Sequence, residues 1–166
     1  MQLALSVFFV SALFLGPAAA VDFYFYTAYS NCWGPRSSIN VRGAQSGQCY
    51  LVPAAVSVQA LGIPGGAKAQ AYIGEGCSKY ATEVGPGDNC LSGGGLGWDK
   101  VSVNWFYPGR KLVRKSPEPE PKFTVTYEQL GGTLREIEVP GGHVTRALKL
   151  VEARDYDALE EFPTVS

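Results

Sequence analysis

Phe25-Tyr26-Thr27-Ala28-Tyr29-Ser30-Asn31-Cys32 and Ala71-Tyr72-Ile73-Gly74-Glu75-Gly76-Cys77 are two versions of one phrase. Each continues in the same order. A loop leads to a glycine shortly before a cysteine, in Gly47-Gln48-Cys49 and in Gly87-Asp88-Asn89-Cys90. A turn then leads to Val56-Ser57-Val58 and to Val101-Ser102-Val103. Self-similarity at a steady period is the mark of one structural unit built twice. Phe23 to Tyr29, Ala67 to Ile73, Val101 to Tyr107 and Phe123 to Tyr127 are rich in aromatic and β-branched residues. Gly or Pro turns bound most of them, so each unit reads as strands. Thr133 to Val139 alternates imperfectly, as a half-exposed strand does.

The four cysteines allow at most two bridges and three connectivities. The repeat makes pairing inside each unit the natural expectation: Cys32 with Cys49, and Cys77 with Cys90. Each such bridge closes a loop of 14 to 18 residues, worth about 3 kcal/mol in the chain-entropy account.

The surroundings of the repeat set the compartment and the organisation. Met1 to Ala20 carry no charged side chain, and Gly16-Pro17 breaks an apolar run that ends in Ala18-Ala19-Ala20. This is a signal peptide (residues 1–20), cleaved after Ala20, although no Lys or Arg precedes the run. No later stretch approaches the ~20 apolar residues needed to span a bilayer. The mature chain is therefore expected to be secreted and extracellular, where cysteines oxidise. Asn31, Asn40, Asn89 and Asn104 all lack Ser or Thr two places on, so no N-linked glycan is expected. Residues 21–107 hold ten charged side chains, while residues 108–166 hold nineteen and no cysteine. Between them, residues 108–121 read as a linker in which alternating Pro and Glu favour an extended chain. Residues 122–166 form a charged extension. A shift of 55 lays a fainter third copy on it, with Tyr127 at the place of Tyr72, Gly131 of Gly76, Glu138-Val139 of Glu83-Val84 and Gly142 of Gly87. Cys77 and Cys90 are both replaced there, by Gly132 and Thr145. The end has two readings. Val144, Leu148, Val151, Tyr156, Leu159 and Phe162 allow a helix from about Arg146 to Glu161. The third copy instead makes Ala147 to Val151 a strand, with a short terminal helix over Asp155 to Glu161.

Two repeated units of this kind suggest paired Greek keys in an all-β sandwich. Tyr26 and Tyr72 on the opening strands, Gly74 or Gly76 at the fold of the first hairpin, and Ser57 and Ser102 in the Val-Ser-Val strands carry a family likeness. Val21 to Tyr107 resembles the βγ-crystallin-like domains of small secreted microbial and fungal proteins, killer-toxin-like and effector-like ones among them. The resemblance implies a double Greek-key sandwich in which glycine permits a strained hairpin and the serine hydroxyl caps it. It implies no single activity.

Chemistry is sparse. With 14 Lys+Arg against 15 Asp+Glu, counterion-driven binding to nucleic acid or anionic membrane is not expected. One His, no C-x-x-C and no H-E-x-x-H exclude the common zinc sites. The family's calcium motif is matched only by Asp99 and Ser102, too few oxygens for Ca²⁺. His143 lies in a turn, and with no G-x-S-x-G elbow and the cysteines expected to be oxidised it reads as a solvated turn histidine. Glu118 and Glu120 lie in the linker, and Asp155, Asp157, Glu160 and Glu161 read as a solvated acidic tail rather than as a catalytic pair. Gly93-Gly94-Gly95-Leu96-Gly97 lacks the βαβ setting of a phosphate loop. No catalytic residue, metal or cofactor is expected. Phe23 to Tyr26 with Tyr29 and Trp33 present aromatics to both faces of a strand. One face is core; the other is either covered by the extension or a platform for protein or carbohydrate. Tyr24, Tyr29, Trp33, Arg36 and Arg42 are the candidate binding surface. The function expected is that of a secreted, non-enzymatic binding protein, effector-like or toxin-like, acting on a protein or cell-surface target as monomer or homodimer. The alternatives are a protease inhibitor that inserts a rigid loop from Arg36 to Gly47, and a structural or calcium-stabilised crystallin-like protein.

Overall fold

The computed structural model describes residues 19–33, 38–52, 55–93, 98–109, 122–129 and 131–165. The expected signal peptide and the expected linker fall almost wholly outside the described residues, and Arg36 lies outside them too. The first unit contributes β1 (Val21–Tyr26), β2 (Ser38–Ala44), β3 (Tyr50–Val52) and β4 (Ser57–Ile63). The second contributes β5 (Lys68–Ile73), β6 (Lys79–Val84), β7 (Gly87–Ser92) and β8 (Val101–Phe106). The extension adds β9 (Lys122–Glu128), β10 (Leu134–Pro140), a 3₁₀ turn over Gly141–His143, α1 (Val144–Ala153) and α2 (Tyr156–Leu159).

Two antiparallel sheets result, a larger one in the order β10-β9-β2-β1-β4-β7 and a smaller one in the order β3-β8-β5-β6. In each unit the second, first and fourth strands lie side by side. The third strand leaves for the other sheet, so β7 pairs with β4 and β3 pairs with β8. The fold is an all-β sandwich of two interlocked Greek keys. Alternation along β1 buries Val21, Phe23 and Phe25. These meet Tyr50, Val58, Leu91 and Val103 between the sheets. Trp105 is buried with them, and its indole N–H donates to the Ala44 carbonyl at 2.7 Å.

The exchange of third strands overturns the expected disulfides. Cys32 is bonded to Cys90, and Cys49 to Cys77. Each bridge joins the first hairpin of one unit to a cysteine at the third strand of the other, Cys90 within β7 and Cys49 one residue before β3. The reason is topological: the cysteine at a swapped strand leaves its own unit and arrives beside its neighbour's hairpin. The bridges span 58 and 28 residues, and each closes a longer loop than an intra-unit bond does, worth about 4 kcal/mol. Two disulfides are typical of extracellular proteins.

The loop expected from Arg36 to Gly47 is corrected as well. Residues 38–44 are β2, held between β1 and β9, with Ile39 and Val41 buried. A central strand cannot enter a protease cleft, which leaves the inhibitor reading without its loop.

The third copy is half right. The shift of 55 lays β5 on β9 and β6 on β10. Gly131 and Gly132 take positive φ, as Gly76 and Cys77 do at the equivalent places. The strand expected at Ala147 to Val151 is instead the middle of α1, because Val144, Ala147, Leu148 and Val151 recur at helical spacing and pack on the core. Nor is there one helix from Arg146 to Glu161. Arg154 turns left-handed (φ 57°), its N–H bonding back to the α1 carbonyls. Asp155 then caps α2 by accepting the Ala158 N–H at 3.2 Å. Both helices lie on the inner face of β9 and β10. Phe123, Val125, Ile137 and Val139 are buried there with Ala147 and Leu159, and Tyr156 stacks on Tyr127 at 5.7 Å. The chain end closes the β10 edge: Glu138 N–H donates to the Pro163 carbonyl and Val165 N–H to that of Glu136. Thus the extension completes the larger sheet and covers its own overhang. It does not cover the outward aromatic side chains of β1.

Peptide mapping without reduction is expected to recover Cys32 linked to Cys90 and Cys49 linked to Cys77. A Cys32–Cys49 peptide would contradict the strand exchange. Replacing Cys32 and Cys90 together by Ala is expected to cost about 2–5 kcal/mol, read as a lowered denaturant midpoint.

Candidate functional site

Register assigns the side chains of the larger sheet to its two faces. Phe23, Phe25, Val58 and Leu91 point inward. The residues between them point outward, so Gln59 on β4, Tyr24 on β1, Asn40 on β2, Thr124 on β9 and Glu138 on β10 form one outer row. Cys90 on β7 continues it beyond Gln59. Tyr26, Ser57, Thr126 and Glu136 lie in the next row.

Residues 27–33, which follow β1, fold back over this outer face as an arch. Ser57, wholly buried, holds it there. Its Oγ accepts the Cys32 N–H at 3.1 Å and donates to the Tyr29 carbonyl at 2.6 Å. The Cys32–Cys90 bridge pins the arch to β7. The second unit repeats the device on the smaller sheet. Ser102 Oγ accepts the Cys77 N–H at 3.1 Å and donates to the Gly74 carbonyl at 2.9 Å. Serine thus caps both hairpins. Glycine at the fold is not common to them: Gly74 and Gly76 have positive φ in the second arch, but the left-handed residues that the two arches share are Cys32 (φ 55°) and Cys77 (φ 47°). A non-glycine residue there costs about 1–3 kcal/mol and persists because its surroundings over-determine it. Here a serine hydroxyl and a disulfide do so.

These bonds align the two units, with one extra residue in the first arch between Tyr26 and Tyr29. Tyr29 stands where Gly74 does, Cys32 where Cys77 does, and Trp33 where Ser78 does. Tyr26 matches Tyr72, each opposite its serine. Tyr24 matches Gln70, each opposite the amide two residues past that serine. The tyrosine pair is structural in both copies. Tyr26 O–H donates to Gln59 Oε1 at 2.9 Å, and the Tyr72 hydroxyl lies against Gln70 and Asn104. The other three pairs differ in kind. The second unit builds its arch with Gln, Gly and Ser where the first has Tyr24, Tyr29 and Trp33. Trp33 is 80% exposed and Tyr29 42%. The second arch, one residue shorter but held by the same serine bonds, closes without these aromatics.

Four of the five residues expected as a binding surface therefore share one face: Tyr24 and Arg42 on the sheet, Tyr29 and Trp33 on its arch. Arg42 is held by Glu136 of the extension at 2.6 Å. Asn40, Gln59, Thr124 and Thr126 belong to the same face and were not singled out from sequence. Strand parity alone could have found them once the register was known. Asn40 is 1% exposed; its Nδ2 donates to Thr126 Oγ1 at 3.3 Å, and its Oδ1 has no partner.

The other candidates are dispersed. Ser102 is buried with its hydroxyl committed to the second arch, while Asp99 is exposed. Among the described residues no three His, Cys, Asp or Glu side chains gather as a metal site. His143 is exposed in the 3₁₀ turn, its ring edge-on to Phe162 at 6.5 Å. Glu161 pairs with Arg146. Gly93 packs under Trp98, where a Cβ would come within 2.8 Å of the indole. Residues 94–97 lie outside the described residues. No described helix is long and apolar enough to cross a membrane. No family model, curated protein or solved structure matches the chain.

Burial pushes the phenols of Tyr72 and Tyr26 above their ordinary range; the neighbouring Tyr24 adds to the shift at Tyr26, and the Asn104 contact opposes it at Tyr72. Burial does the same to Tyr127. The folded state thus keeps protons that the unfolded chain loses near pH ~10. Stability is full below that value and falls as pH rises through the folded pKa. Thermal midpoints measured from about pH 9 to about pH 11 are expected to decline, and Tyr72→Phe is expected to flatten the decline. An unchanged slope in that variant would remove the buried phenol as its source.

Proposed function

We propose that this chain is a secreted, non-enzymatic binding protein of βγ-crystallin-like build, effector-like or toxin-like in role. It engages an extracellular or host target through the outer face of its larger sheet. Kinship in build is supported by the exchanged third strands and by the serine hydroxyls that cap both arches. The observation that carries the binding role is the internal comparison of the two units. Tyr24, Tyr29 and Trp33 occupy places that the second unit fills with Gln, Gly and Ser while closing an arch held by the same serine bonds. Exposed aromatics that the fold does not need are the residues expected of a recognition surface. The arch that carries two of them is stapled and hydrogen-bonded at its base, so little ordering entropy is lost on binding.

The internal comparison supplies its own variant. Tyr24→Gln, Tyr29→Gly and Trp33→Ser together write the second unit's residues into the first. The protein is expected to fold, with a thermal midpoint within about 5 °C of the parent. Fluorescently labelled protein is to be applied to intact walled and wall-less cells. The parent is expected to bind saturably, and the triple variant about thirtyfold more weakly, the weight of one aromatic hot spot. Equal binding by parent and variant, or no saturable binding by the folded parent, would overturn the proposal.

A further inference from the structure

We infer that the ligand of this face is a neutral carbohydrate chain. The inference rests on the reading of the face as a binding surface and names the chemistry of what binds there. Three features of the face favour a sugar.

The charges are spent internally. Arg42 is paired with Glu136, and the Asp22 carboxylate accepts the Gly43 N–H at 2.8 Å. Glu138, a further charge of the row, is engaged as well, so among the described residues of this face no unpartnered charge recruits an ionic ligand. Second, the outward side chains are aromatic rings set among amides and hydroxyls, with no aliphatic cluster at the centre. The row runs from Gln59 through Tyr24, Asn40 and Thr124 to Glu138. A protein interface usually has a fully buried apolar core. A pyranose has the opposite build, with C–H faces that lie on the negative face of an aromatic ring and a rim of hydroxyls that donate and accept. Asn and Gln side chains, offering both functions from one plane, match that rim. Within this row Gln59 and Tyr24 are partly exposed while Asn40 and Thr124 are buried, so the rings of Tyr29 and Trp33 with the Gln59 amide are what a sugar meets first.

The third feature is the Asn40 side chain. Its Nδ2 is committed to Thr126, and its Oδ1 is buried and partnerless. A buried acceptor without a donor is rare enough to require a reason. Its register neighbour Tyr24 is only half-buried, and a ligand hydroxyl that turns that ring aside gives the acceptor its donor. The smaller sheet offers a contrast. There Lys68, Glu83, Gln70, Tyr72 and Asn104 satisfy one another in a closed network. The second unit's face is complete by itself, and the first unit's face lacks one hydrogen bond.

Tryptophan fluorescence reads the site directly, since Trp98 and Trp105 are buried and Trp33 is exposed. The full-length secreted protein is to be titrated with cello-, laminari-, chito- and manno-hexaose while acrylamide quenching is followed. At least one hexaose is expected to shield Trp33 saturably, and the double variant Tyr24→Gln/Tyr29→Gly, which keeps Trp33, is expected to be shielded about tenfold more weakly. Asn40→Ala is expected to weaken binding three- to tenfold while its thermal midpoint is not lowered. A purely structural Asn40 would show the reverse. Preference for polygalacturonate or another acidic glycan would overturn the neutral assignment. Cells treated with periodate or with protease separate this inference from the one beneath it. Binding that is sensitive to the triple substitution and is lost after periodate supports a glycan. The same binding lost only after protease would overturn the carbohydrate and leave the binding face standing. Absence of any such binding would overturn both.

Discussion

The exchange of third strands is the constraint on which the rest of this molecule depends. β4 has β1 on one side and needs a partner on the other; that partner is β7, from the second unit. β8 depends in the same way on β3. Backbone donors and acceptors buried in a sandwich must be paired, so neither unit can finish its sheet alone. The pairings join residues far apart in sequence, which makes them slow to form and cooperative once formed. The disulfides follow from the same geometry. Each cysteine at a swapped strand arrives beside the arch of the other unit, so both covalent bonds cross between units and reinforce the exchange.

That constraint also separates what could be read from the sequence from what could not. Strand content is a local property. The aromatic and β-branched runs at Phe23, Ala67, Val101 and Phe123 marked β1, β5, β8 and β9 within a few residues; the repeat marked the two serines, and the family resemblance implied their role as caps. Pairing is not local. The motif in which Cys49 follows Cys32 after a short loop is compatible with a bridge inside the unit, and only the topology sends Cys49 across. β2 illustrates a second limit. It ends in Arg-Gly-Ala and lies between two cysteines, so it resembles an exposed loop until β1 and β9 bury Ile39 and Val41 from both sides. The face proposed for binding was legible in its aromatics, which stand out by type. Its polar floor was not, because Asn40, Gln59 and Thr124 acquire a common face only through register.

An odd number of units explains why the extension changes from strand to helix halfway. A unit that gives away its third strand needs a partner that gives one back. The third copy has no such partner, and it lacks the serine and the cysteines that lock an arch. Its opening hairpin can still add to the free edge of β2, and it does so as β9 and β10. The larger sheet then has six strands against four in the smaller one. The overhanging inner face must be covered, and α1 and α2 cover it with Val144, Ala147, Leu159 and Phe162. A helix meets this need because its backbone hydrogen bonds are internal, so it can cover a sheet without a strand partner of its own.

The widening has a consequence for recognition. Without β9 and β10 the outer row would stop at Asn40 on an edge strand, where an unpaired backbone invites pairing with any extended chain. With them, Asn40 lies in the interior of the sheet, Thr124 and Glu138 lengthen the row, and Glu136 neutralises Arg42. The extension therefore acts on the first unit twice: it removes a sheet edge that would bind indiscriminately, and it supplies part of the polar floor. The second unit has no such addition and keeps a closed polar network beneath an arch of Gly74 and Ser78. Two copies of one scaffold have thus diverged in opposite directions, one satisfied within itself and one left with exposed rings, a widened floor and an acceptor in need of a donor.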